Sequence, residues 1–137
     1  MRPGIKYRDG YKYQLAEDYT VRTDIIVGGW VNTEYIKLSP VGYLTVKNGY
    51  AWDGASAVAI DTPNIMRGSL CHDAFYQLMR QGVLSQEWRK PVDKEMHKMC
   101  LEDGMSRFRA WWIYQGLRGG GASSADPKNK KEILTAP

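Results

Sequence analysis

A histidine and two aspartates are the residues in this sequence that could catalyse a reaction. The segment HDAFY places His72 beside Asp73, and the chain has one other histidine, His97. Asp93 comes later, near the start of the next predicted helix. A carboxylate that contacts an imidazole fixes its tautomer and favours its protonated form. The second ring nitrogen can then take a proton from water, so His72 and Asp93 are candidates for a general base and the residue that orients it.

Asp73 and the loop before the first helix form a second candidate site, for a cation. The segment WDGAS directly follows a predicted strand and contains Asp53. Carboxylate and backbone carbonyl oxygens suit Ca²⁺, which proteins bind at about 2.3–2.6 Å. Zinc is not expected, because the chain has two histidines and neither a CxxC nor an HExxH motif. The pattern therefore indicates calcium at Asp53 and Asp73.

Each of these residues also has a structural interpretation. A single histidine on an apolar helix face is commonly a core residue with one hydrogen bond, and this applies to His72. Asp73, alone, would be a solvated helix residue bonded to a lysine. Asp93, alone, would be an acidic first-turn residue favoured by the helix dipole.

A group of strands followed by three helices must position these side chains. Residues 11–61 are rich in Tyr, Val, Ile, Thr and Trp and are interrupted by turn signals. Asn48-Gly49 between two such runs is a strong hairpin signal. The pattern predicts an antiparallel meander with one face on the core, with strands at 11–16, 19–27, 35–38, 43–47 and 50–53.

The first two helices should lie side by side. Thr62-Pro63 predicts an N-cap followed by the first helical residue, and Gly82 ends that helix. The second helix is expected at 91–103. A short connection favours antiparallel neighbours, which would bring His72 opposite Asp93. Cys100 would then lie opposite position 65 rather than Cys71, so we expect two reduced thiols.

Ser106 should cap a third helix, and the fold class is α+β, with an N-terminal antiparallel β-meander before the helices. We expect a single α+β domain over residues 1–120 and a flexible tail over 121–137. Gly68 in mid-helix costs about 1 kcal/mol relative to alanine, which predicts a close packing partner there.

Composition and charge are those of an ordinary globular domain. Of the residues, 43% are hydrophobic and 25% are charged. The formal net charge of +4 favours anionic partners, or simply keeps the protein soluble. Two cysteines are too few for a disulfide framework. The N-terminal segment lacks the apolar core of a signal peptide, and we expect no transmembrane segment.

The motifs resemble those of a family of short, uncharacterised phage and prophage proteins, the domain of unknown function thirteen-fifty-three. The shared pattern is WDGAS, a proline turn, HDAFY, an aspartate at the head of the next helix, and GM, within about residues 40 to 120. The resemblance implies a phage setting without an established activity. The protein would then reside in the host cytoplasm after synthesis, or in the virion.

A more distant resemblance is to the short bacterial type of phospholipase A2. Its implied calcium site falls on Asp53, Gly54 and Asp73, with Ser56 in the same loop and Tyr76 in a supporting role. The resemblance further implies that His72 activates water, that Asp93 orients His72, and that calcium stabilises the oxyanion. This chain departs from that family because it cannot form the disulfides that clamp the paired helices.

Three functions stay open at the level of sequence. The first is a Ca²⁺-dependent, phospholipase A2-like esterase that acts on a phospholipid membrane surface. The second is a non-catalytic virion or tail-associated protein that contacts other virion proteins. The third is a small-ligand-binding antagonist of host defence that binds phosphate through Arg67, Arg80 and Arg89. Nucleic acid is not an expected partner, because the basic residues are dispersed along the chain and no known DNA- or RNA-binding motif is visible in the sequence.

Overall fold

The structure, a computed structural model, describes residues 7–8, 13–52 and 62–125, with the backbone alone for 7–8 and 121–125. Within these ranges strands precede three helices, so the fold is α+β as the sequence predicts. The strands are β1 (Tyr7–Arg8), β2 (Tyr13–Leu15), β3 (Tyr19–Arg22), β4 (Val31–Asn32), β5 (Ile36–Leu38), β6 (Tyr43–Val46) and β7 (Ala51–Trp52).

The described strands form two small antiparallel sheets. One has the order β1-β2-β7, and the other has the order β3-β6-β5-β4. Strands β4, β5 and β6 follow one another as a meander, whereas β3 pairs with β6. The sequence did not predict β1 or β4, each of which is two residues long.

Asn48-Gly49 turns the chain from one sheet to the other, and the predicted hairpin is wrong. Strand β6 pairs with β3 and β5, whereas β7 pairs with β2. The Tyr50 amide donates to the Lys47 carbonyl at 3.1 Å, and Gly49 has φ +94° while Asn48 has a negative φ. The type I′ hairpin turn needs positive φ at both central residues, so this turn does not align the flanking strands.

The helices are α1 (Pro63–Arg80), α2 (Arg89–Glu102) and α3 (Arg107–Ala125), and a short 3₁₀ turn precedes α2. Helix α1 begins after Thr62 and ends before Gly82, which has φ +75°, as predicted. The Ser106 hydroxyl accepts the Arg109 amide at 3.2 Å, which caps α3. Helix α3 continues to Ala125, so the tail predicted from residue 121 begins as helix.

Helices α1 and α2 are antiparallel, because contacts that move back along α1 move forward along α2. Tyr76 contacts Asp93, whereas Arg67 contacts Asp103. A Cβ added to Gly68 would lie 3.2 Å from the Cys100 sulfur, so the predicted close partner is present. The two cysteines are buried and unbonded, as expected.

Helix α1 lies between two apolar clusters and contributes to both. The larger cluster joins α1 to the strands and includes Leu44, Trp52, Leu70 and Phe75. The smaller cluster joins α1 to α2 and α3, and its buried members are Ile65, Met96, Cys100, Met105, Ala110 and Ile113. None of the helices in the described part of the chain is long and apolar enough to cross a membrane.

Candidate active site around His72 and Asp93

Asp93 is the centre of a buried polar cluster that joins all three helices. Its carboxylate is completely buried and lies in the first turns of α2. Oδ1 lies 2.7 Å from Nε2 of His72 and accepts the Tyr76 hydroxyl at 2.7 Å. Oδ2 accepts a guanidinium N–H of Arg118 from α3, also at 2.7 Å. The sequence predicted the contact with His72, and the structure contains it.

These contacts keep the Asp93 carboxyl ionised. Burial alone would raise its pKa, but hydrogen bonds from His72 and Tyr76, the charge of His72 and the bond from Arg118 together lower the pKa below its ordinary value. Burial and the adjacent carboxylate raise the pKa of Tyr76, so its hydroxyl stays protonated and donates. Asp93 is therefore a fixed negative charge against the imidazole.

His72 combines a fixed ring with a ring nitrogen that can react. Its side chain is 13% exposed, and its ring stacks on Tyr76 with centroids 4.1 Å apart. No residue in the described ranges forms a hydrogen bond with Nδ1. An ionised carboxylate at Nε2 requires that nitrogen to carry the proton, so in the neutral ring Nδ1 is the proton acceptor. This is the arrangement that a general base needs.

Asp73 contacts a different set of residues, Tyr50 and Arg80. The Tyr50 hydroxyl donates to its Oδ2, and the Arg80 guanidinium lies 3.6 Å from its Oδ1. Arg80 is 2% exposed and is held in place by two bonds to the side-chain oxygen of Gln77. A buried guanidinium beside the carboxylate opposes the approach of a divalent cation, because like charges repel. Asp73, in this arrangement, does not fit a calcium ligand.

The other predicted calcium residues, Asp53 and Gly54, and the supporting Ser56 lie outside the described residues. Within the described ranges, no group of three or more acidic, histidine or cysteine side chains could hold a metal ion.

Sequence reasoning missed two residues of this region. Arg118 lies on α3, 25 residues beyond Asp93, and its contact depends on how α3 rotates against α2. Tyr50 comes from the segment before β7 and reaches Asp73 across the junction between strands and helix. The one signal that could have indicated Arg118 is a basic residue on a helix face next to apolar positions, and no short-range pattern indicates Tyr50.

The arginines that the ligand-binding alternative requires are mostly engaged within the protein. Arg67 is 6% exposed and bonds Asp103 at 3.0 Å and Glu102 at 2.8 Å. Arg80 is even more deeply buried and lies 3.6 Å from the Asp73 carboxylate. These two guanidinium groups are therefore not presented to a phosphate at the surface.

The fold and the site together define an α+β protein whose helices enclose a His–Asp pair. Comparisons of the chain with protein-family models, with curated proteins and with solved structures found no match.

Proposed function

We propose that the protein hydrolyses carboxylic esters of phospholipids, with His72 as the general base. The observation that supports the proposal most is the contact between Nε2 of His72 and the buried Asp93, while no residue in the described ranges bonds Nδ1. The resemblance to phospholipases A2 supports the lipid ester as the substrate class. The resemblance to phage proteins supports a role in the attack of a phage on its host.

The reaction follows from the protonation states at the site. Nδ1 of His72 takes a proton from water as the water oxygen bonds to the ester carbonyl carbon. The imidazolium that forms is stabilised by Asp93, which Tyr76 and Arg118 hold in position. The same proton then passes to the leaving alkoxide as the carbon–oxygen bond breaks, which yields a fatty acid and an alcohol.

A purely structural role is the second candidate, because one carboxylate ties the three helices together. Asp93 accepts bonds from α1 and α3 while it belongs to α2. Such a satisfied polar cluster can specify how helices pack without any catalysis. In that case the protein is a non-catalytic virion or tail-associated protein, which is the second function considered in the sequence analysis.

Release of fatty acid from phospholipid vesicles distinguishes the two candidates. We expect release by the wild-type protein, and we expect His72→Asn to reduce the rate by about a hundredfold or more. His97→Asn is the matched control, since His97 packs edge-on against Tyr114 and is not part of the cluster. Release by the control should equal that of the wild type.

Folding must be checked in both variants by circular dichroism. Absence of fatty-acid release by the folded wild-type protein, with and without millimolar CaCl₂, would leave the structural role as the better explanation. Equal release by wild type and His72→Asn would exclude His72 as the base.

A further inference from the structure

The outer face of α3 presents large aromatic side chains to solvent. Phe108, Trp111 and Trp112 are 74%, 51% and 59% exposed. Phe108 and Trp111 also contact each other, with ring centroids 6.3 Å apart. Isolated exposed apolar residues need no explanation, but a contiguous group on one helix marks a surface that binds something.

Helix geometry separates this aromatic face from the packed face of α3. Ala110 and Ile113 are buried in the core, and Leu117 packs against them. At 3.6 residues per turn, positions 108, 111, 112 and 115 lie about half a turn away from positions 110, 113 and 117. The aromatic side chains therefore lie outside the core that the described residues form.

The charge of α3 identifies the chemistry of that partner. The helix has no acidic residue between Arg107 and Ala125. Arg118 pairs with Asp93, and Arg109 bonds Thr62 and Asn64, so the charge offered to a partner is that of Arg107. Arg107 is exposed beside the aromatic face. Tryptophan and phenylalanine bury their rings at the boundary between lipid headgroups and acyl chains, where arginine contacts anionic headgroups.

We propose that the aromatic face of α3, formed by Phe108, Trp111 and Trp112, binds the surface of an anionic phospholipid bilayer. A second copy of the chain is a poorer partner, because α3 has no acidic residue between Arg107 and Ala125 that could pair with the exposed Arg107 of the other copy. A bilayer with anionic lipid instead complements both the aromatic rings and the positive charge.

The position of this face connects it to the candidate active site. Arg118 lies seven residues after Trp111, which is two helical turns along nearly the same side of α3. Arg118 itself contacts Asp93. The aromatic face and the Asp93 cluster are therefore linked through one helix, about two turns apart. Binding to a bilayer does not require hydrolysis, so the proposed membrane-binding surface can be tested independently of the proposed esterase activity.

Co-sedimentation with extruded vesicles tests the surface. The probes are vesicles of equal parts phosphatidylcholine and phosphatidylglycerol, compared with vesicles of phosphatidylcholine alone. We expect wild-type protein to bind the anionic vesicles, with weaker binding as salt is added. The double variant Trp111→Ser/Trp112→Ser should bind about tenfold more weakly or worse, since the buried apolar area is lost.

Trp30→Ser is the matched control, because Trp30 is 65% exposed and precedes β4 rather than belonging to α3. It should bind like the wild type, and melting temperatures of all variants should stay close to one another. Equal binding by the double variant and the control would overturn the proposal, as would equal binding to neutral vesicles. A dimer that the double variant dissociates, without vesicle binding, would also overturn it and assign the face to self-association.

The same vesicles separate this inference from the hydrolase. Binding that persists in His72→Asn, without release of fatty acid by any form, supports the surface and counts against catalysis. Release of fatty acid with no measurable binding in either lipid composition counts against the surface alone.

Discussion

Asp93 shows how much one buried carboxylate can control. Its two oxygens accept bonds from an imidazole, a phenol and a guanidinium, and it has no exposed surface. A buried charge without such partners would be very unfavourable, so the three donors and the carboxylate depend on one another. The consequence for stability can be measured.

Asp93→Asn should lower the free energy of unfolding by about 3 kcal/mol. The substitution removes the charge that Arg118 faces and leaves one acceptor where there were two. Urea unfolding at neutral pH measures the change. Glu34→Gln is the control, because Glu34 is exposed, and it should change stability by about 0.5 kcal/mol or less. A loss no larger than that of the control would show that the contacts of Asp93 do not stabilise the fold.

Acid should remove the stability that Asp93 provides. Its pKa in the folded protein lies below the ordinary value of 3.8, so its contribution is complete above that value and disappears as pH falls through the lower, folded-state pKa. Wild type should therefore lose its advantage over Asp93→Asn in urea unfolding as pH is lowered below about 4. An advantage that stays constant down to about pH 2 would contradict this assignment of the pKa.

Calcium should not stabilise the protein, because Arg80 and Tyr50 already hold the Asp73 carboxylate. We expect the melting temperature in millimolar CaCl₂ to match that in EGTA within about 1 °C, since a ligand that does not bind cannot shift the equilibrium. MgCl₂ at the same concentration controls for ionic strength. A rise specific to CaCl₂ would contradict this prediction and would mean that the protein binds the cation.

The contact between α1 and α2 is close because one residue has no side chain. A Cβ on Gly68 would lie 3.2 Å from both the Cys100 sulfur and the Met96 Cγ, and 3.4 Å from the Met96 carbonyl oxygen. Because Gly68 has no side chain, α1 and α2 can approach each other closely at a point one helical turn before His72. Helix separation at this point therefore also sets the distance between His72 and Asp93.

Gly68→Val should destabilise the protein by about 2 kcal/mol or more, because the added atoms must push α2 away. Gly119→Ala is the contrasting variant. Position 119 is helical with nothing within 4 Å of an added Cβ, so alanine there should stabilise by about 0.5–1 kcal/mol. Thermal unfolding measures the change in stability of each variant relative to the wild type. Equal tolerance of the two substitutions would contradict the close approach at Gly68.

The parts of the site that the sequence predicts are those fixed by local geometry. Thr62-Pro63 and Gly82 set the bounds of α1, and a short connection then brings His72 to Asp93. The contact of Arg118 depends on the rotation of α3, which neighbouring residues do not determine. The hairpin predicted at Asn48-Gly49 is wrong for a related reason. The chain does turn there, but β6 pairs with β5 and β7 pairs with β2, and the residues of the turn do not determine these pairings.

The whole molecule is organised around α1, which is buried along nearly its entire length. Its residues enter the apolar cluster on the strands and also the cluster with α2 and α3. The indole N–H of Trp52 donates to the Ser69 hydroxyl at 3.1 Å, and the Asp24 amide donates to Glu95 of α2 at 2.8 Å. The strands and helices thus share one element and should lose their structure together.

Unfolding should therefore be a single cooperative transition, even when only one cluster is weakened. Leu44→Ala in the strands and Ile113→Ala in α3 each remove a completely or almost completely buried side chain and should cost about 2–5 kcal/mol. In both variants, far-UV circular dichroism and tryptophan fluorescence should give coincident urea transitions. Val41→Ala at an exposed position controls for side-chain loss alone. Separation of the two signals in Ile113→Ala would show that α3 detaches first, and that α1 does not couple the two clusters.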